Sequence, residues 1–353
     1  RQAHVSTVPA NAGETVGLFV REKLSTDLQK ELRSGQSSSA GAVLFVHGSL
    51  ASSIPVFDLP HKDYSWMTRL AETGFDTFAM EHSGFGWSAR PAMDDPCNLG
   101  PEDQAIVTPN PLSASCEPSY AYSLTNSQSD WDEIDTVVDY IRELRGVERV
   151  SLVGWSRGGP RTAGYAARHP EKVDKLVLLA PAYTPEAPSA APRHLPEPGF
   201  PMRIMTREMY TRDRWHAGVA CDAQVEPGVE PVVWETIMDV DRLGATWGPA
   251  DGVMRVSNSP AWGWNREYAG RVEAPTLILV GEQDFIFEAA EPLYSDLTGA
   301  QSKYLINMEC ATHYAFWENF HYTRMQDAAI EWLTTGKYQG QSEGISRFEV
   351  SRN

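Results

Sequence analysis

Short apolar runs recur along the chain, each closed by a glycine, proline or polar turn and followed by residues with helical spacing. They fall at residues 42–46, 76–80, 150–153, 175–179, 276–280 and 303–306, and most are apolar at nearly every position. Near-continuous apolar character suits a strand buried on both faces. Strand, turn and helix in repeated alternation predict an α/β fold, a mostly parallel sheet with helices on both faces. Residues 5–8 and 16–21 are expected to form a leading antiparallel pair at one edge.

The helix at 130–144 shows in the spacing of Trp131, Ile134, Val137, Val138 and Ile141. A second helical stretch, 156–169, follows the 150–153 strand directly, and 327–333 reads as part of a C-terminal helix. The polar residues after Gly336 read as a loosely held tail. Two stretches break the alternation. Residues 90–124 are rich in Pro, Asn and Ser; residues 181–270 open with a Pro- and Ala-rich linker through Pro201, then carry Trp215, Trp234, Trp247, Trp262 and Trp264. Insertions of this kind sit over strand ends, where catalytic loops lie. The expected organisation is a core in two parts, 1–180 (with the excursion 90–124) and 271–353 with its tail, separated by a cap at 181–270. The cap tryptophans are expected to pack a small lid core. There is no internal repeat, and the only low-complexity tract is Ser37–Ser39.

Composition adds bounds to this picture. A chain of 353 residues with 42% hydrophobic content has room for one α/β core and a sizeable insertion. No apolar run reaches the roughly 18 residues a membrane span needs. A net charge of −17 repels polyphosphate, which argues against nucleic acid and anionic membranes as partners. Cys97 and Cys116 bracket an irregular segment, and a disulfide there would close a loop of about 20 residues, contributing ~3 kcal/mol in the chain-entropy model. Neither they nor Cys221 and Cys310 show zinc-ligand spacing, so no metal site is expected. The first residue is Arg1 and no signal-peptide pattern is visible. Export stays open, and the cysteines favour a secreted or periplasmic location over a cytoplasmic one.

The strongest chemical signal is Gly154-Trp155-Ser156-Arg157-Gly158, entered from the 150–153 strand and left into a helix. A serine nucleophile needs a sharp strand-to-helix turn that lifts its hydroxyl above the sheet, and small residues two before and two after permit it. A passive serine in a glycine turn is the rival reading. The helix N-terminus also aims free backbone N–H groups at a reacting carbonyl. Upstream, the 42–46 strand ends in His47-Gly48-Ser49. Acyl transfer needs two donors for the oxyanion, and these are assigned to the backbone N–H of Arg157 and Ser49, with Leu50 as the neighbouring candidate. His47 is expected to shape that loop through hydrogen bonds.

The acid and base should follow the serine in that order. The 276–280 strand ends in Gly281-Glu282-Gln283-Asp284, placing Asp284 just past the strand, and His313 follows the 303–306 strand. The acid fixes the imidazole tautomer while the other ring nitrogen takes the serine proton. Glu282 is expected to turn away, Glu288 lies beyond the turn, and His321 reads as a packed or surface histidine. His82 follows the 76–80 strand but precedes the serine; with Leu50 and Trp155 it is a candidate substrate contact.

Together the His47-Gly48-Ser49 turn, Ser83-Gly84-Phe85-Gly86-Trp87-Ser88, the Ser156 turn, Gly281-Glu282-Gln283-Asp284 and Thr312-His313 resemble the α/β-hydrolase superfamily, in the family's order across most of residues 40–335. The resemblance implies an eight-stranded, mostly parallel sheet and a cofactor-free Ser–Asp–His mechanism on a small-molecule ester. The chain departs from the family pattern at Glu81-His82-Ser83, where many members carry Asp-x-Arg, and at Arg157, where many carry an apolar residue, Met or Gln. Relatives that hydrolyse epoxides or haloalkanes carry Asp at the nucleophile position, and Ser156 argues against both reactions. Arg157 either binds a substrate carboxylate or folds back onto a nearby one, and the second reading is preferred. Amide, lactone or carbon–carbon bond hydrolysis and acyl transfer to an alcohol share the same triad. A catalytically silent binding protein is the rival of another class.

Overall fold

The structure is a computed structural model and describes residues 1–34 and 41–350, so the Ser37–Ser39 tract lies outside the described residues. Among the described residues eleven strands run in chain order: β1 (Gln2–Val5), β2 (Thr15–Lys23), β3 (Ala42–Val46), β4 (Asp76–Glu81), β5 (Val150–Trp155), β6 (Val173–Leu179), β7 (Met202–Thr206), β8 (Val253–Ser257), β9 (Thr276–Gly281), β10 (Lys303–Met308) and β11 (Glu343–Phe348). Nine form one sheet in the order β1-β2-β4-β3-β5-β6-β9-β10-β11, while β7 and β8 pair separately. β2 is antiparallel to β1 and β4, and the remaining pairs of the large sheet are parallel.

Each predicted central strand is present; β3 has the expected bounds and the other five are longer by a residue or two. Their alternate side chains go to opposite faces, as the strand period of two requires. In β3, Val43 and Phe45 join the cluster holding Trp66, Ala328 and Trp332. Leu44 and Val46 join the one holding Trp131, Ile134, Val137 and Ala163. The helices Trp66–Glu72 and Tyr322–Thr335 therefore cover one face, and Ser127–Arg145 and Gly158–Ala166 the other. The helix Ser127–Arg145 starts where Asn126 and Ser129 cap each other's backbone N–H and stops at Gly146 in the left-handed conformation.

Three expectations are corrected here. The sheet has nine strands among the described residues, not eight. The tail after Gly336 carries β11, paired in parallel with β10 from Lys303↔Glu343 to Met308↔Phe348. An edge strand buries one side only, so Phe348 is buried while its polar neighbours face out, and no apolar run marks it. The leading strand also lies earlier than expected, pairing Gln2–Val5 with residues 15–18.

Residues 181–270 contain the antiparallel pair β7 and β8 with a helix at Val229–Val240 between them in sequence, and all five of the tryptophans singled out above are buried. Met202, Ile204, Trp247 and Val253 pack against Met93, Leu99, Val107 and Leu124, so the insertion and the 90–124 excursion share a third core. Cys97 and Cys116 are bonded with Cα atoms 5.4 Å apart, as expected. A second disulfide, Cys221–Cys310 (Cα atoms 5.8 Å apart), joins the insertion to the segment after β10.

Candidate active site

Ser156 sits between β5 and the helix Gly158–Ala166 with φ +57°, in the left-handed region. A non-glycine residue there costs about 1–3 kcal/mol and persists only where its surroundings fix it. The Ser156 N–H donates to the Leu179 carbonyl (2.9 Å), and its own carbonyl accepts from Gly159 (2.9 Å) and Ala182 (3.1 Å). Glycine is required on both sides. A Cβ at Gly154 would overlap the Gly158 carbonyl, and one at Gly158 would overlap the Val46 carbonyl. The turn is thus packed against the ends of β3 and β6, with Ser156 itself partly exposed.

Asp284 and His313 stand on the loops after β9 and β10, which are neighbours in the sheet. Parallel register brings their ends level, with Met308 opposite Gly281. His313 Nδ1 lies 2.9 and 3.0 Å from the two Asp284 carboxylate oxygens, with both residues buried. A carboxylate can only accept, so Nδ1 carries the proton and Nε2 is the basic nitrogen. Trp155 Nε1 donates to the His313 carbonyl (2.9 Å), so the residue before Ser156 touches the histidine segment directly.

On the other side of Ser156 lies the loop after β3. A Cβ on Gly48 would stand 2.8 Å from Ser156 Cβ and 3.0 Å from the Trp155 ring, so only glycine allows this approach. Among the described residues, no hydrogen-bond acceptor is paired with the backbone N–H of Ser49, Leu50 or Arg157. Several groups hold the loop. Arg161 donates to the His47 and Gly48 carbonyls (3.0 Å each) and to Asp130 (2.9 Å). Burial alone would push the Asp130 carboxyl up, but Arg161, His82 and Arg157 outweigh it and hold it at about 2. Burial, then Arg161, pushes the His47 imidazole well below its usual value. Neutral His47 donates from Nδ1 to the Gly48 carbonyl (2.7 Å) and accepts at Nε2 from the His82 backbone N–H (3.1 Å).

The structure removes two expected substrate contacts. His82 is fully buried, with Nδ1 2.8 Å from Glu133. Trp155 is fully buried as well, because it ends β5 pointing into the core and spends its N–H on the histidine segment. The Leu50 side chain packs into the core, leaving its backbone N–H as its contribution. Arg157 folds back: it donates to the Ser259 carbonyl and hydroxyl (2.7 Å each) and the Pro260 carbonyl (3.2 Å), and lies 3.6 Å from Asp130. It ties Ser259 and Pro260 to the turn that carries Ser156. Glu282 turns away to Arg347 (2.8 Å), Glu288 is exposed, and His321 is buried against the Glu309 carbonyl.

Sequence reasoning missed other supports. Glu318 gathers donors from both the histidine segment and the insertion. Phe285, 67% exposed, lays its ring 4.5 Å from His313. Asp130 and Glu133 had a legible signal, two acids beside the apolar stripe of one helix.

Comparison with known proteins agrees with this architecture. The family described as alpha/beta hydrolase fold matches residues 41–202, from β3 through the Ser156 turn to the start of β7. Among solved structures, the chain is similar to a monoacylglycerol lipase from Paleococcus ferrophilus at 17% identity, covering 91% of this chain and 100% of the other (TM-score 0.53). It is similar to an esterase from Exiguobacterium antarcticum at 17% identity, with coverage of 95% and 99% (TM-score 0.52). It is also similar to a meta-cleavage product hydrolase from Pseudomonas fluorescens at 15% identity, with coverage of 96% and 98% (TM-score 0.52). A poly(3-hydroxyalkanoate) polymerase subunit from Allochromatium vinosum is 48% identical over 46 residues, which span 13% of each chain. Among the described residues no helix is long and apolar enough to cross a membrane.

Proposed function

We propose that this chain, which has the α/β-hydrolase fold, is a serine hydrolase that cleaves a carboxylic ester through an acyl-enzyme. The observation that carries the reading is the pairing of His313 Nδ1 with the Asp284 carboxylate beside a serine held at φ +57°. Ser156 Oγ attacks the ester carbonyl as its proton passes to His313 Nε2. Asp284 stabilises the imidazolium, and the backbone N–H groups of Ser49 and Arg157 take the oxyanion. His313 returns the proton to the departing alkoxide, then draws one from water, whose oxygen attacks the acyl carbon; the bond from that carbon to Ser156 Oγ breaks, His313 gives the proton back to Ser156 Oγ, and the acid leaves. Residues 181–270 act as a cap that shapes the pocket over Ser156. The two disulfides favour an oxidising compartment.

Arg157 does not serve as the anchor of an anionic substrate in this reading, because both of its terminal nitrogens are engaged by Ser259 and Pro260 and its charge lies 3.6 Å from Asp130. A panel of p-nitrophenyl esters, lactones and anilides tests the assignment. Turnover of the esters ahead of the other classes is expected. Anilide or lactone turnover without ester turnover would move the assignment to those bonds, and no turnover of any class would favour a binding protein.

A further inference from the structure

Glu318 follows the short turn Ala315–Trp317, five residues after His313, and is fully buried. One carboxylate oxygen accepts from the Thr312 hydroxyl (2.5 Å) and Trp215 Nε1 (3.2 Å). The other accepts from the Thr312 backbone N–H (2.9 Å) and Gln224 Nε2 (3.0 Å). Burial pushes this carboxyl up, yet all four partners present donors, so the ionised form is the one they satisfy. The Thr312 hydroxyl in turn accepts from the Tyr314 N–H (3.1 Å), so the backbone on both sides of His313 refers to one carboxylate.

The other two donors belong to the insertion, about a hundred residues away in sequence. Further ties join the same two segments. The Asn319 N–H donates to the Gln224 carbonyl (2.8 Å), and Cys221 is bonded to Cys310. A Cβ on Gly218 would come within 3.0 Å of Thr312 Cγ2. The rings of Tyr210 and Trp215 pack 5.7 and 5.1 Å from those of Tyr314 and Trp317. Residues 210–224 are therefore clamped to the histidine segment.

We infer that Glu318 is a positioning residue: acting through Thr312, and braced by Trp215 and Gln224 of the insertion, it sets the backbone from which His313 meets Asp284 and Ser156. The inference rests on the catalytic reading of His313 given above. Its physical basis is that a misplacement of about 1 Å at a catalytic group costs on the order of 100-fold in rate. Glu318 is suited to the task because each of its acceptor sites is already occupied by one of the two segments it joins.

Glu318→Gln keeps the side chain's shape but turns an amide N–H₂ toward donors, and Thr312→Val removes the hydroxyl. Each should lower kcat on a p-nitrophenyl ester about 10- to 100-fold with KM within about twofold. Each should also shift or broaden the downfield proton resonance of the His313 Nδ1–H. Thr312→Ser, which restores the hydroxyl, should bring back both the rate and the resonance. Folded Glu318→Gln or Thr312→Val with wild-type kcat and an unmoved resonance would overturn the inference and leave Glu318 as packing. If Glu318→Gln does not fold, the Thr312 pair decides alone. If the wild-type protein turns over no ester, the functional reading fails, and the resonance decides the positioning separately.

Discussion

Asp284 reaches His313 Nδ1 with both carboxylate oxygens, although the two residues stand on loops after different strands, 29 positions apart. The contact fixes the tautomer that leaves Nε2 basic. Asp284→Asn would present an amide to that nitrogen and favour the wrong tautomer. It should lower kcat about 10³- to 10⁴-fold with little change in KM or in thermal midpoint. A loss below about tenfold would remove Asp284 from the mechanism.

Gly48 lets the loop after β3 close on Ser156. Gly48→Ala puts a methyl 2.8 Å from Ser156 Cβ, so the loop must retreat and take the Ser49 N–H with it. The expected loss is about 10²- to 10³-fold in kcat, as for removal of an oxyanion donor, with about 1–3 kcal/mol lost in denaturant unfolding from overpacking. Steady-state kinetics beside a urea titration checks both, and full activity would place the oxyanion donors elsewhere.

Arg157 is tied to Ser259, Pro260 and Asp130. Arg157→Ala should therefore act on stability, lowering it by about 1–3 kcal/mol, the scale for hydrogen bonds from a charged group. It should leave the ratio of kcat/KM between neutral and carboxylate-bearing esters unchanged. A selective loss of the anionic ester would revive the substrate-binding role.

Near the loop after β3, burial pushes the Glu81 carboxyl up to about 8 and that of Glu133 up to about 7, against which the Ser53 and Ser83 groups act more weakly. Both are protonated in the folded chain at a pH where the unfolded chain has ionised them. Their contribution to stability is complete below about pH 4.5 and is lost as pH rises through the folded values. The thermal midpoint should fall between about pH 6 and pH 9, and Glu133→Gln should flatten that fall. A midpoint rising across this window in the wild-type protein would contradict the assignment of these two carboxyls.

The legible parts of this molecule were those encoded by contiguous residues. The strands buried on both faces announced themselves as apolar runs, and the Ser156 turn needed Gly154 and Gly158 because its backbone passes against the β3 end. β11 was hidden because an edge strand needs only Phe348 inside. Trp155 looked like a substrate contact from its place beside the serine, but the strand period of two turns it into the core. The Cys221–Cys310 bond and the four-donor cradle of Glu318 join residues distant in sequence, with no local spacing to mark either.

If Ser156 is the nucleophile, an organophosphonate that labels activated serines should form a single stoichiometric adduct on the peptide carrying Ser156. An activated ester should release a burst of p-nitrophenol, and Ser156→Ala should lose both with the fold intact by circular dichroism. Unchanged labelling or an unchanged burst in that variant would contradict the assignment of Ser156.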